Sequence, residues 1–395
     1  MQRDSRSPSA GAPLQRRAIC VIHCALRSAS PIITLLLTLF VTAPAVAAQA
    51  AHGLTGGGAI YQAGCAGCHG PNGEGAADTT VGFDKPATFP NFADCPSTTP
   101  EVDADWRATI AEGGRARGFS RIMPAFGDRL TAAQIDAVIE YLRGLCRESS
   151  WPRGELNLPR PLATEKAFPE DETVVTTAIG AKHAPDVNQE VVYEHRYGAR
   201  NQIEVSLPFA ALHDETGAVA RGIGDLGLGL KRVLFASHSS IVSAQGEVVL
   251  PTGDSDKGLG SGVTVFEGFA SYGQILPSQT FVQAQLGTEQ PTSTDHAVRS
   301  IFGRAAFGRS FRQAQGAGRM WTPIVEVIAD RDFVTDARTD VDVTPQFQVT
   351  LNRRQHIRAN VGLQVPVVNA AGRPKQVVFY LLWDWFDGGL LEGWK

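Results

Sequence analysis

Charged side chains are scarce in this chain of 395 residues, because Asp, Glu, Lys and Arg together make up 19% of it, against the ~25% usual for soluble domains. The net charge is only −4, and no stretch gathers Lys and Arg into a basic stripe, so nucleic acid is not an expected partner. Glycine, by contrast, is frequent at 41 residues. This composition fits neither a coiled coil nor a disordered acidic or basic protein.

Long apolar runs are equally scarce. One run, residues 31–46, follows several arginines and ends in small residues, which is the order of a secretory signal peptide. We therefore expect residues 1–50 to direct export, with an uncleaved anchor as the alternative. Beyond this run no segment reaches the ~18 uninterrupted apolar residues typical of a membrane-spanning helix, so none is predicted for the mature chain.

Cysteine is rare, and outside the leader it is confined to four positions: Cys65, Cys68, Cys95 and Cys146. Residues 65–69 read Cys-Ala-Gly-Cys-His, the C-x-x-C-H arrangement of covalent haem attachment. Two thiols at this spacing add to the two vinyl groups of one haem, and His69 is then the proximal iron ligand. A zinc site needs a second close Cys/His pair, and a thioredoxin-like motif needs a βαβ context; the sequence offers neither.

The surroundings of this motif resemble those of a class I cytochrome c, in which the attachment site reads Y-x-x-x-C-x-x-C-H-G-x-x-G-x-G. The matching residues are Tyr61, Cys65, Cys68, His69, Gly70, Gly73 and Gly75. Residues 121–126, Arg-Ile-Met-Pro-Ala-Phe, are similar to the M-P-x-F loop of the same family. The resemblance spans about residues 52–148 and implies an all-α domain, over residues 51–148, that binds one covalent haem c.

Methionine is scarcer still, and Met123 is the one methionine of this domain. It precedes Pro124, which stiffens the loop, and we expect its thioether to be the sixth iron ligand. Such ligation raises the reduction potential. A core role for Met123, or ligation by His52 instead, are the alternatives. An iron with both axial positions filled favours an electron carrier over an enzyme.

Three helices are predicted in this domain, over residues 55–63, residues 103–112 and a segment after Thr131. Thr131 and Gln134 have the form of a capping box, and apolar residues follow at helical spacing. The resemblance implies that this last helix crosses the first one. Trp106 and Tyr141 are expected to pack in the core or at the haem edge. Cys95 and Cys146 either form a disulfide, as suits an oxidising periplasm, or remain two thiols.

Residues 149–171 are rich in proline and are predicted to be an ordered or semi-rigid linker. Beyond them, apolar and polar residues alternate in segments such as 202–209, 226–231, 282–286, 346–351 and 357–367, which indicates strands with one apolar and one polar face. About twelve strands at this spacing are typical of an outer-membrane β-barrel. We therefore predict an all-β antiparallel barrel over residues 172–395, with a wet lumen. A soluble β-sandwich or barrel is the alternative.

Aromatic residues flank several of these strands, as in the girdles of outer-membrane barrels. They are Tyr193, Tyr197, Phe235, Phe266, Phe269, Trp321, Tyr380, Trp383 and Trp385. The last strand is expected at residues 377–386. A tail, residues 387–395, then follows, whereas outer-membrane barrels usually end on the aromatic residue that closes the last strand.

Residues 222–231 contain the spacing G-x-G-x-x-G of dinucleotide-binding loops. That motif must open a helix, whereas alternation here continues through Leu230, so we place the glycines inside a strand and reject nucleotide binding. The segment is similar to the G-x-G-D-x-x-L-G-x-K strand of barrel transporters linked to phenol degradation. This resemblance covers roughly residues 172–390.

Together these features predict a c-type cytochrome fused to an outer-membrane barrel, which transfers electrons at or across that membrane. Its partner would be a periplasmic redox donor or acceptor protein, because an even strand number puts both barrel termini in the periplasm. Two alternatives are a solute porin with an appended redox domain, and a soluble periplasmic cytochrome that accepts electrons from a dehydrogenase.

Overall fold

The computed structural model describes residues 56–78, 80–86, 89–181, 185–213, 217–313 and 319–385. The predicted signal peptide, His52 and the C-terminal tail lie outside these residues. Five α-helices occur in the described part, all of them before residue 144: α1 (Gly57–Gly64), α2 (Ala66–His69), α3 (Cys95–Thr98), α4 (Asp103–Glu112) and α5 (Ala132–Arg143). Among the described residues no helix has the length and apolar character needed to span a bilayer.

The helical region is built on the crossing of α1 and α5. A Cβ atom on Gly57 would lie 1.8 Å from the Ala137 carbonyl oxygen, so the two backbones approach as closely as glycine allows. The helices share one core cluster, whose buried members are Ile60, Tyr61, Ile110, Ile135, Val138, Ile139 and Leu142. This confirms the expected crossing.

Local signals in the sequence place the ends of two of these helices. The Thr131 hydroxyl accepts a hydrogen bond from the Gln134 backbone N–H, and the Gln134 side chain accepts one from the Thr131 N–H, so the capping box is confirmed. Helix α4 ends at Glu112 with Gly113 as its C-cap, which matches the predicted range 103–112. Cys95 and Cys146 form a disulfide, with their Cα atoms 5.1 Å apart.

The rest of the chain forms one antiparallel sheet of fourteen segments: β1 (Glu172–Gly180), β2 (Val187–Tyr197), β3 (Asn201–His213), β4 (Val219–Ile223), β5 (Leu226–Ala236), β6 (Ser240–Leu250), β7 (Val265–Leu276), β8 (Thr280–Pro291), β9 (Ser300–Arg309), β10 (Phe311–Arg312), β11 (Met320–Asp332), β12 (Asp340–Thr350), β13 (Ile357–Val368) and β14 (Gln376–Asp384). Pairing of β1 with β14 closes it. Since β4 and β5 both pair with β3, and β9 and β10 both pair with β11, the described segments form a closed barrel of 12 strands, as predicted.

The glycine-rich segment departs from its predicted continuous strand. Strand β4 contains Gly222 and ends at Ile223, and β5, which contains Gly227, begins at Leu226. Gly224 and Asp225 lie between these two strands. The Asp225 carboxylate accepts hydrogen bonds from the backbone N–H groups of Gly253 and Ser261, at 2.9 and 2.7 Å. The interruption therefore lets Asp225 bind the β6–β7 loop. The element that follows is a strand rather than the helix that a nucleotide site requires.

Burial along the strands is the reverse of that in a water-soluble protein, because the apolar side chains point outward and the polar ones inward. In β5, Leu228, Leu230 and Leu234 are 44%, 60% and 56% exposed, whereas Lys231 is 2% exposed. Exposed aromatic residues lie at the barrel end that carries the short turns 198–200, 237–239 and 277–279: Tyr197, Phe235, Phe311 and Trp321. Three aromatic residues expected in the girdles are instead buried: Phe269, Tyr380 and Trp385.

Residues 154–171, which the sequence identifies as part of a linker, lie inside the barrel, and we call this segment the plug. The Arg160 guanidinium forms ion pairs with Glu172 of β1 at 2.8 Å and with Glu194 of β2 at 3.0 Å. Its backbone carbonyl accepts a hydrogen bond from the Tyr380 hydroxyl at 2.7 Å. On another wall, Thr164 donates to Glu326 of β11. The plug thus occupies part of the lumen that the sequence predicts to be wet.

Acidic residues stand directly opposite one another on neighbouring strands of the lumen wall. One group is Glu172, Glu194 and Glu204 on β1, β2 and β3; the other is Glu247, Glu267 and Glu289 on β6, β7 and β8. Arg160 and Lys166 of the plug and Lys231 of β5 lie beside the first group. Within the described residues, the second group forms no ion pair, which leaves that part of the wall acidic.

Candidate functional site

The five residues of the C-x-x-C-H motif lie at the junction of α1 and α2. Cys65 is half-buried, Cys68 is exposed, and both are free thiols. The His69 ring packs against Phe89, with the ring centroids 5.0 Å apart. The motif therefore places both thiols and the imidazole on one short helical turn, as attachment to a single haem requires.

The turn after His69 is fixed by glycines and by Tyr61. Gly70 has φ +75°, and a Cβ on it would lie 2.7 Å from the Gly75 carbonyl oxygen, so a larger residue would prevent this approach. The Gly75 N–H donates to the His69 carbonyl at 2.8 Å. The fully buried Tyr61 donates its hydroxyl proton to the Gly70 carbonyl at 2.6 Å. These contacts hold the His69 backbone in one position.

Met123 is brought to the same site by a loop that packs against two glycines at the end of α4. The Gly114 N–H donates to the Met123 carbonyl at 3.1 Å. A Cβ on Gly113 would lie 3.0 Å from that same oxygen, so this loop depends on the absence of a side chain there. The backbone N–H of Phe126 then donates to the Ile110 carbonyl at 2.9 Å and fixes the far end of the loop.

A cavity of about 460 Å³ is lined by all four predicted site residues, Cys65, Cys68, His69 and Met123. This volume lies within the ~300–1,000 Å³ range of cofactor sites. Most of the remaining wall is apolar and includes Phe83, Phe89, Phe92, Trp106, Ile110, Phe119, Ile122, Phe126 and Leu142. The structure thus brings together two segments more than fifty residues apart in the sequence.

Burial sets the protonation of the groups at this cavity. It lowers the pKa of His69 to about 4, so the imidazole is neutral at pH 7, which is the form that binds a metal. The His69 Nδ1 atom is buried and makes no hydrogen bond to the described residues. Burial, followed by the neighbouring Cys68, raises the pKa of the Cys65 thiol to about 11. Two thiols, a neutral imidazole and a thioether in an apolar cavity fit covalent haem c.

Part of the cavity wall comes from the barrel, which the sequence does not indicate. Arg353 and Arg354 lie in the turn between β12 and β13, at the short-turn end, and line the cavity. The Arg354 guanidinium donates to the Gly118 carbonyl at 3.2 Å and lies 4.8 Å from the Phe119 ring centroid. No motif marks these arginines, and more than two hundred residues separate them from the thiols.

The helical region rests on this same barrel end through further contacts. Arg196 donates to the Thr99 hydroxyl at 3.3 Å, Arg312 forms an ion pair with Asp105, and His356 lies 3.5 Å from Glu101. In each of these three contacts the basic side chain belongs to the barrel. Trp106 and Tyr141 pack as expected: Trp106 against Phe92 at the cavity, and Tyr141 against Tyr61.

Solved structures with a similar fold are outer-membrane barrels. An outer membrane channel from Pseudomonas putida F1 has 13% sequence identity, covers 57% of this chain and 100% of its own, and gives a TM-score of 0.41. A KdgM porin has 6% identity over 54% of this chain and 99% of its own, with a TM-score of 0.38. A NanC porin has 4% identity, covers 54% of this chain and 98% of its own, and gives a TM-score of 0.38.

No curated protein matches the whole sequence significantly. The family model for cytochrome c matches residues 55–145, which contain the C-x-x-C-H motif, the Met123 loop and helix α5. This part of the chain is therefore a cytochrome c domain, followed by a closed 12-stranded barrel.

Proposed function

We propose that this chain is an electron carrier whose single covalent haem c is held at the periplasmic face of the outer membrane. The observation that carries the proposal is the cavity shared by the two thiols, His69 and Met123. Cys65 and Cys68 would attach the haem, and His69 and Met123 would be its axial ligands. The haem supplies a one-electron couple when bound, and the chain positions it and sets its potential.

The role of carrier, rather than enzyme, follows from the ligand set. Chemistry at a haem iron needs an open coordination position for its substrate. Met123 is held at the cavity by the backbone contacts of its loop, and Phe119, Ile122 and Phe126 line the same cavity. A thioether in this position would fill the sixth site and favour outer-sphere electron transfer.

Anchoring in the outer membrane is supported by the outward apolar face of the barrel. Closed barrels satisfy every strand hydrogen bond within the protein, as a bilayer requires, and a lipid-facing surface is apolar and bounded by aromatic residues. The short-turn end carries exposed aromatic residues, both barrel termini and the cytochrome domain. In outer-membrane barrels the short turns are periplasmic, so the haem would meet periplasmic redox partners.

The plug favours electron transfer at the membrane over transport through it. It occupies the lumen between β1, β2, β11 and β14, and the cytochrome domain covers the short-turn end. The similarity of residues 222–231 to phenol-linked transporters supports a shared ancestry for the barrel. In this chain, however, Asp225 of that motif binds the β6–β7 loop, a structural role.

A haem stain of periplasmic, inner-membrane and outer-membrane fractions tests the proposal, with boiled and unboiled samples compared on gels. We expect haem that survives denaturation in the outer-membrane fraction, in a band whose mobility shifts on boiling. Stained protein in the soluble periplasm would contradict membrane anchoring, and staining in the inner membrane would indicate that the leader remains as an anchor. A Cys65→Ala, Cys68→Ala variant with unchanged staining would contradict the proposed attachment.

A further inference from the structure

Some charged side chains on the cavity wall have an oppositely charged partner, and others do not. Five charged residues line the cavity: Glu101, Asp105, Arg117, Arg353 and Arg354. Glu101 lies 3.5 Å from His356, Asp105 forms an ion pair with Arg312, and Arg117 lies 2.6 Å from Glu112. Asp105 and Arg117 therefore carry their own counter-charges, and Glu101 has the His356 imidazole beside it.

Arg353 and Arg354 have no counter-charge, because neither forms an ion pair within the described part of the chain. The Arg354 side chain is nevertheless held in place by the Gly118 carbonyl and the Phe119 ring. Its Nε atom is buried and makes no hydrogen bond to a described residue. A fixed guanidinium with an unused buried donor, beside a second arginine, makes this side of the cavity a site for carboxylates.

We propose that Arg353 and Arg354, which belong to the barrel, hold the carboxylate edge of the haem that is attached to the cytochrome domain. The inference rests on the proposed function. Haem carries two propionate groups, and these two arginines are the cations on the cavity wall that have no ion-pair partner among the described residues. Pairing of carboxylates with arginine at a site of low dielectric is stronger than in water.

This arrangement makes the barrel a determinant of the haem's reduction potential. Positive charge near the iron favours its reduced state, which carries one positive charge less. Charge and hydrogen bonding around the haem are among the means by which a protein sets its potential. The barrel would thus act on electron transfer as well as anchor the carrier, and Arg353 and Arg354 are positioning residues for the haem.

The test is the midpoint potential of the haem in the detergent-purified full chain, measured by spectroelectrochemical titration. We expect the double variant Arg353→Gln, Arg354→Gln to have a lower midpoint potential than the wild type, because its ferrous state loses two favourable charges. The charge-retaining pair Arg353→Lys, Arg354→Lys should keep a potential closer to that of the wild type. The mobility shift on boiling reports whether each barrel has folded. Should the double variant not fold, Arg353→Gln alone, at an exposed position, provides the measurement.

Two control variants separate charge at the cavity from other effects. Arg309 matches Arg354, because it stacks 4.8 Å from the Phe311 ring centroid and donates to the Ser278 carbonyl at 3.1 Å at the same barrel end, away from the cavity. Arg200 donates to the Ser150 carbonyl at 2.9 Å and tests contact between the barrel and the segment that follows the cytochrome domain. Both Arg309→Gln and Arg200→Gln should leave the potential unchanged.

An unchanged potential in the double variant would overturn the inference. An equal shift in Arg200→Gln would also overturn it, because the shift would then come from the loss of contact with the barrel rather than from charge at the cavity. The absence of covalent haem from the wild type would instead overturn the proposed function. The two failures are therefore distinguishable in the same preparation.

Discussion

At the residue scale, the site depends on side chains that the sequence marks and on glycines that give them room. Gly113 and Gly114 lie against the Met123 loop, and a Cβ on Gly114 would come within 2.3 Å of the Ser120 carbonyl oxygen. The loop's backbone hydrogen bonds hold Met123 at the cavity, where its side chain packs against the core cluster.

Met123→Ala should convert the haem from a six-coordinate to a five-coordinate or water-ligated form while leaving it covalently attached. We expect loss of the low-spin visible spectrum and a lower midpoint potential, because thioether ligation raises the potential. Met320, the other methionine of the described residues, lies at the start of β11 and offers a matched control. A wild-type spectrum in Met123→Ala would refute its assignment as a ligand, whereas Met320→Ala should have no spectral effect.

The two halves of the haem cavity differ in how far the sequence predicts them. Cys65, Cys68 and His69 form a contiguous motif whose spacing follows from the chemistry of attachment, and Met123 is a rare residue beside a proline. Arg353 and Arg354, by contrast, reach the cavity only because the barrel's short turns meet the cytochrome domain. Arginine in a β-turn is common, so composition and periodicity carry no signal for this role.

At the scale of elements, the crossing of α1 and α5 predicts a strong effect from a small substitution. Gly57→Ala would put a methyl group 1.8 Å from the Ala137 carbonyl oxygen, so the helices must separate. Overpacking of this kind typically costs about 1–3 kcal/mol in the free energy of unfolding. Chemical denaturation followed by far-ultraviolet circular dichroism or haem absorbance gives the value.

Gly82→Ala is the matched control for that substitution. A Cβ on Gly82 meets no atom within 4 Å, and the residue lies in a loop of the same domain, so stability should stay close to that of the wild type. Equal stabilities for Gly57→Ala and Gly82→Ala would show that the crossing tolerates separation, contrary to our expectation.

The plug's ion pairs should also be sensitive to single substitutions. Arg160→Gln leaves Glu172 and Glu194, both fully buried, without the guanidinium that lies 2.8 and 3.0 Å from them. Removal of one partner of a buried pair typically costs about 3–5 kcal/mol. We expect the unboiled, compact band to be lost at a lower temperature. Lys257→Gln, which removes an exposed pair with Asp254, should leave that temperature unchanged.

Strands were predictable here, and their interruptions were not. Alternation in 202–209 and 357–367 identifies β3 and β13, because a barrel wall has one lipid-facing and one lumen-facing side. Gly224 and Asp225 interrupt a strand and shift its alternation by one residue, because the exposed positions are odd-numbered in β4 and even-numbered from Leu228 to Leu234 in β5. Proline-rich residues 149–171 likewise read as a spacer, and residues 154–171 enter the lumen through ion pairs and apolar contacts that only the folded barrel supplies.

At the scale of the whole molecule, the position of the cytochrome domain bears on the direction of electron flow. The proposed haem at the short-turn end is separated from the other side of the membrane by the length of the barrel, which is about 25 Å of apolar wall in such proteins. We therefore expect exchange with partners on the periplasmic side. An impermeant oxidant added to intact cells should leave the haem reduced, whereas the same oxidant added to broken cells should oxidise it.

The plug also predicts how the barrel behaves as a pore. In planar lipid bilayers the full chain should show little or no steady conductance. Replacement of residues 156–168 by a short Gly-Ser linker should open it, because the segment's contacts with Glu172, Glu194 and Glu326 are then lost. Stable porin-like currents in the wild type would contradict a closed lumen and favour solute transport.

The unpaired carboxylates of β6, β7 and β8 have a consequence for such an opened barrel. Glu247, Glu267 and Glu289 stand opposite one another, and removal of the plug would take away Arg160 and Lys166 from the facing wall as well. Rings of carboxylates select cations in channels. The reversal potential of the opened variant in a salt gradient should accordingly lie on the side of cation selectivity.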